Sequence, residues 1–138
     1  MLWRTHWQQL ISLQPDLVEV LTWNDWAERT YVVPIPSDNT PYGVREYNAA
    51  GYPHLAYLDL AGRYFIPSYK TGQQPAIDSA SKEAIYIFYY KQSKVGSAVA
   101  NSDVLDDKVY VTVLLYQAAD IVINSGTQTT PFKGVPTR

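Results

Sequence analysis

The hydrophobic period of this sequence changes once along its length. In residues 2–13, Leu2, Trp3, Trp7, Leu10 and Ile11 recur every three or four positions, and Pro15 follows. In residues 54–69, Leu55, Leu58, Ala61 and Phe65 repeat in the same way, with Tyr57, Leu60 and Tyr64 widening the stripe. Both are the apolar face of an amphipathic helix, and Gly72 and Lys70 suit the end of the second, Gly72 for its backbone freedom and Lys70 for the negative dipole end. Past the turn-forming stretch 73–82 that period is gone. Ala84–Tyr90, Lys108–Tyr116 and Asp120–Asn124 are β-branched and aromatic runs that suit strands. The sequence therefore predicts an α/β part over residues 1–72, a linker over 73–82, and an all-β, partial β-sandwich-like domain over 83–138.

One short run lies between the helices. Asp16–Thr22 reads as a strand buried on both faces, with Val18, Val20 and Thr22 on one side and Leu17, Glu19 and Leu21 on the other. Glu19 is expected to be paired or hydrogen-bonded inside the floor of a barrel. Where the run gives out, Trp23, Asn24, Asp25, Trp26 and Glu28 follow within six positions. In parallel α/β architectures the C-terminal ends of strands open into the loops that hold active sites, which makes Asp25 and Glu28 candidates. Three positions apart in a helix-like turn, they project to one side with Cβ atoms about 5–6 Å apart.

Glycoside hydrolysis needs two carboxyl groups, one protonated for the leaving oxygen and one ionised as nucleophile or as base for a water. Two close acids oppose each other's ionisation, which keeps one protonated near neutral pH. The rival reading is structural: Asp-x-x-Glu is a near relative of the capping box that opens a helix. Trp23 and Trp26 offer indole faces to sugar C–H groups, and Asn24 has a donor and an acceptor for a sugar hydroxyl or for Asp25.

Thr22-Trp23-Asn24-Asp25-Trp26-Ala27-Glu28-Arg29-Thr30-Tyr31, with Pro34-Ile35 behind it, resembles the T-W-N-D-[YF]-G-E-S-H-Y-…-G-P-I signature of the fungal alpha-1,3-glucanases (mutanases) of glycoside hydrolase family 71. Gly51-Tyr52-Pro53-His54 and Tyr64-Phe65-Ile66-Pro67-Ser68-Tyr69-Lys70-Thr71-Gly72 look like the family's M-P-H and Y-Y-I-…-Y-K-T-G stretches, in the right order. The resemblance runs from Leu2 to Asn124 and covers the C-terminal part of the family: the last segments of a (β/α)8 TIM-type barrel and the front of its β-region. It implies an alpha-1,3-glucan hydrolase, inverting and endo-acting, with Asp25 and Glu28 catalytic and Trp23, Asn24, Trp26, Tyr31 and His54 binding the glucan. An extracellular or cell-wall setting is implied too. A complete barrel takes roughly 250 residues and this chain has 138, so the missing barrel segments are expected to complete the cleft. A glucan-binding or inactive fragment is the alternative. Ala27 stands for the family's Gly, Arg29 for Ser and Thr30 for His; Ala27 would be strained if that Gly needs a positive φ, and Arg29 would favour ionised Glu28.

Residues 34–53, rich in Pro, Gly, Asn, Asp and Ser without a period, read as a long cleft-shaping loop, with Tyr42, Arg45 and Tyr47 as further sugar contacts. The sequence has no Cys and two His, so neither a disulfide framework nor a metal site is expected, and no cofactor. A formal net charge of -2 gives no electrostatic reason to expect nucleic acid or an anionic membrane. No apolar run approaches the ~20 residues of a membrane span, and no signal-peptide core follows Met1. Twelve Tyr and four Trp suit sugar faces and, for the Tyr, ordinary strands equally.

Overall fold

The structure, a computed structural model, describes residues 2–36, 44, 49–77, 80, 82–90, 94, 95 and 106–137. It divides into two compact units, Met1–Pro75 and Ala76–Arg138, a division that falls within residues 73–82.

In the first unit α1 (Leu2–Leu13) is the expected N-terminal helix. It stops at Gln14, which takes a left-handed φ of 50° and donates its backbone N–H to Leu10 O at 2.9 Å; Pro15 cannot continue the ladder. The Gln14 amide donates to Ile11 O at 2.8 Å and Tyr69 O at 3.1 Å, and the Tyr69 hydroxyl donates to Pro15 O. These bonds tie the end of α1 to the end of the second helical segment.

That segment runs as α2 (Leu55–Leu60), a π-helical stretch (Ala61–Phe65) and α3 (Ile66–Thr71). A proline inside a helix removes one backbone bond and presses on the carbonyl four residues back. The turn before Pro67 widens accordingly, and Ile66 N–H reaches Ala61 O. The segment ends, as its sequence predicts, on Gly72, at φ 67°. Its inward face is Leu60, Ala61, Tyr64, Phe65 and Ser68, whereas Leu55, expected on that face, is 47% exposed. Trp7 stacks on Phe65 at 5.5 Å, and Trp3 meets Trp7, Phe65 and Tyr57 edge-on at 6.0, 5.4 and 4.9 Å. Trp7 is buried and Trp3 half-buried, both packed on the second helical segment.

The expected buried strand Asp16–Thr22 is not formed. Leu17 is 84% exposed, Leu21 and Glu19 are exposed too, and no residue of this run belongs to a strand. A strand needs lateral partners for its N–H and C=O groups, and among the described residues of this unit no parallel strand lies beside it. Ladder-like bonds begin only at Thr22, whose N–H donates to Thr30 O and whose carbonyl accepts from Val32 N, both at 3.1 Å.

The second unit holds four strands among its described residues, where three were expected. β1 (Ala84–Phe88) pairs antiparallel with β2 (Tyr110–Leu114), and β3 (Ala119–Ser125) with β4 (Gln128–Val135), as two separate two-stranded sheets. β1 and β2 bury Tyr86 and Leu114. β4 escapes a reading by hydrophobic pattern because it is polar and contains Pro131, which an edge strand tolerates. Its turn is a two-residue loop, Gly126-Thr127, with Gly126 at φ 59°, the type II′ pattern. Opposite Asp120 the register shifts and Gly134 takes φ 57°. Asp120 pins that bulge, accepting from Gly134 N at 2.9 Å and Lys133 Nζ at 2.7 Å, and these two donors hold its carboxyl below the usual carboxylate range. Asp106 sits in the connection before β2, where it accepts from the Tyr110 hydroxyl and faces Lys108 at 3.6 Å.

Candidate active site

Residues 22–33 form a loop closed on itself. At its neck the Thr22 and Thr30 hydroxyls lie 2.8 Å apart, and Val33 N–H donates to Trp23 O at 3.0 Å. Inside it, Asp25 N–H donates to Thr22 Oγ1 at 3.2 Å, and Asp25 Oδ1 accepts from Glu28 N–H at 3.0 Å. The Asp25 carboxylate therefore caps the turn 26–29 as an N-cap side chain does. Asp25 is half-buried and Glu28 exposed.

The turn separates its side chains. Trp23, 59% exposed, and Asn24 face solvent. Trp26, 7% exposed, and Tyr31, fully buried, go under it and pack with Val44 and Ala49, with Val33 and Ile35 alongside. The Trp26 and Tyr31 rings are 4.9 Å apart. Of the aromatic residues expected on the sugar, these two have their faces in a core. The reason is amphipathic: a loop closed by its own hydrogen bonds still needs an apolar underside to stay seated.

The seat is residues 49–54. The Tyr31 hydroxyl donates to Ala49 O at 3.2 Å and approaches Tyr52 O. The His54 ring lies parallel on Tyr31, 4.2 Å between centroids and 8° between planes, and its Nδ1 is 2.9 Å from Tyr31 O. A carbonyl only accepts, so Nδ1 carries the hydrogen. The Tyr57 and His54 rings meet in a T-shape, 5.6 Å between centroids. Burial first, then the Arg29 charge, hold the His54 pKa below its ordinary value against the pull of the Tyr31 carbonyl. Burial raises the Tyr31 phenol, an effect Arg29 partly offsets. Arg29 takes φ 59° and lays its guanidinium over the Tyr52 ring at 4.4 Å. Ala27 has no positive φ, so the strain considered for it falls on Arg29.

Tyr52 is the partner that residue-by-residue reading passed over; no hydrophobic period marks it, and its only signal is its place beside Pro53-His54. Tyr42, Arg45 and Tyr47 lie outside the described residues. Among the described residues no three His, Asp or Glu side chains gather as a metal site requires, and no helix is long and apolar enough to cross a membrane.

The sequence profile described as glycosyl hydrolase family 71 matches residues 1–137. A glucan endo-1,3-alpha-glucosidase of Schizosaccharomyces pombe is 35% identical over 94% of this chain and 31% of its own length. A mutanase of Penicillium rubens is 29% identical over 87% of this chain and 28% of its own. An ascus wall endo-1,3-alpha-glucanase of Schizosaccharomyces pombe is 36% identical over 74% of this chain and 24% of its own. The chain thus spans less than a third of the length of these relatives. No solved structure matches it.

Proposed function

Proceeding from the fact that this chain belongs to glycosyl hydrolase family 71, we propose that it is the carboxylate-bearing C-terminal part of an alpha-1,3-glucan hydrolase. Asp25 and Glu28 are its acid and base, and the chain represents the last segments of a TIM-type barrel followed by a β-domain. One carboxyl protonates the glycosidic oxygen while the other deprotonates a water attacking the anomeric carbon from the opposite face, with inversion. Trp23 and Asn24 meet the sugar. Trp26 and Tyr31 act from beneath, by holding the turn. The names of the relatives support the substrate and, through the ascus wall enzyme, an extracellular setting.

The observation that carries the reading is the two-sided turn: Trp23, Asn24 and Glu28 outward, Trp26 and Tyr31 inward, Asp25 between. The test is Asp25→Asn and Glu28→Gln in a full-length family enzyme carrying this segment. Each should lower kcat by about 10²–10⁴ with the fold and glucan affinity intact. The double variant should be little worse than the worse single one. Inversion of an alpha linkage gives a β-anomer as first product, which proton NMR during hydrolysis reads directly.

A second reading has the Asp25 Oδ1 to Glu28 N–H bond in its favour. In it the two acids only shape the turn, and the segment is a binding or inactive piece. Near-normal turnover with a lowered melting temperature in either variant would select it.

A further inference from the structure

His54 is spent on the protein from three directions. Tyr31 stacks parallel on the ring, Tyr57 packs against it in a T-shape, and Nδ1–H is given to the Tyr31 carbonyl. Tyr31 is likewise engaged at both ends, its backbone carbonyl by His54 and its hydroxyl by the carbonyls of Ala49 and Tyr52. Tyr31 sits three residues past Glu28 in the loop that carries both carboxylates, and Tyr57 passes the contact on to Trp3, which meets Phe65. An unbroken series of ring contacts, Trp26–Tyr31–His54–Tyr57–Trp3–Phe65, runs from under the acid turn to the helices.

We propose that His54 and Tyr31 are positioning residues, which lock the Asp25–Glu28 turn to the helical core through their stacked rings and the Nδ1–H bond, and that His54 does not bind the sugar. This rests on the reading of Asp25 and Glu28 as the acid and base. The physical basis is that a stacked pair with a fixed hydrogen bond leaves the turn one height and one tilt. Reacting groups displaced by about 1 Å lose as much as 10²-fold in rate. Burial and then the neighbouring Arg29 lower the His54 pKa and so favour the neutral ring with hydrogen on Nδ1; among the described residues the groups facing it are Arg29, Tyr31 and Tyr57.

The experiment uses a full-length family enzyme carrying this segment and a soluble linear alpha-1,3-gluco-oligosaccharide, with kcat and KM measured below the melting temperature of every variant. His54→Asn keeps a donor near the Nδ1 position and loses the ring; His54→Phe keeps the stacked ring and loses the donor; His54→Ala loses both. Positioning gives a kcat loss of about 10-fold to 10²-fold for Ala, smaller losses for Asn and Phe, and KM within about twofold throughout. Tyr31→Phe, lacking the hydroxyl bonds to Ala49 and Tyr52, should follow the same split. Long-range nitrogen NMR, with the His54 signal assigned by its loss in His54→Phe, should find the hydrogen on Nδ1.

A KM rise with kcat kept would make His54 a sugar contact and overturn the proposal, as would kcat unchanged in His54→Ala despite a lower melting temperature. Failure of the acid/base reading shows separately, as full turnover in Asp25→Asn or Glu28→Gln.

Discussion

Arg29 rather than Ala27 carries the left-handed backbone of the acid turn, at φ 59°. Substituting Ala for the family's Gly at 27 therefore strains nothing, while a non-glycine residue in that region costs about 1–2 kcal/mol. The guanidinium over Tyr52 offsets about 0.5–1 kcal/mol of it. The sequence located the departures but not which of them takes the positive φ, because φ is a property of the closed loop. At His54 the sign of a pH effect follows from the lowered pKa. The fold prefers the neutral ring, so its contribution is complete above the ordinary pKa of 6.5 and is lost as pH falls through the lower folded value. The melting temperature of a full-length enzyme carrying this segment should decline over that interval more than that of its His54→Phe variant. Equal declines would place the titration elsewhere.

Helix ends and helix faces differed in how legible they were. Gly72 stands at the end of α3 as its sequence predicts, with φ 67° and open space where a Cβ would go. Gly72→Ala should then cost about 1 kcal/mol, all of it conformational, and Gly72→Asn less, as measured by chemical denaturation. A cost near zero for Ala would show that the helix end frays. The buried face begins at Leu60, while Leu55, the first residue of α2, is left 47% exposed. Likewise β4 was unread because its order comes from pairing: the Gly126 turn sets its register and Asp120 holds its bulge, while its own side chains are almost all exposed.

On the scale of the whole molecule, apolar side chains remain uncovered in both units. Leu13, Leu17, Leu21 and Trp23 are exposed in one, and Ile85, Ile87, Tyr89 and Tyr90 in the other. Two-stranded sheets are marginal in water and leave their edges open to further pairing. The 138-residue chain by itself should therefore self-associate at micromolar concentration, seen as a concentration-dependent mass in analytical ultracentrifugation, and should bind a hydrophobic dye. A monodisperse monomer with one sharp unfolding transition would contradict this.

The sequence by itself determined the family, the helical segments at 2–13 and 54–69, the Gly72 stop, and the position of β1, β2 and β3. All of these rest on local signals, side-chain period and backbone permissiveness within a few residues. It also put Asp25 and Glu28 on one short turn. Tertiary structure alone decided which of the neighbouring aromatics face outward. Trp23 and Trp26 are three residues apart and chemically identical, yet one is 59% exposed and the other 7%. The difference is made by Tyr31, Val44 and Ala49, which form a buried cluster with Trp26 and not with Trp23. The run Asp16–Thr22 shows the same dependence from the other side: its residues suit a strand, but a strand forms only where another backbone supplies its hydrogen bonds.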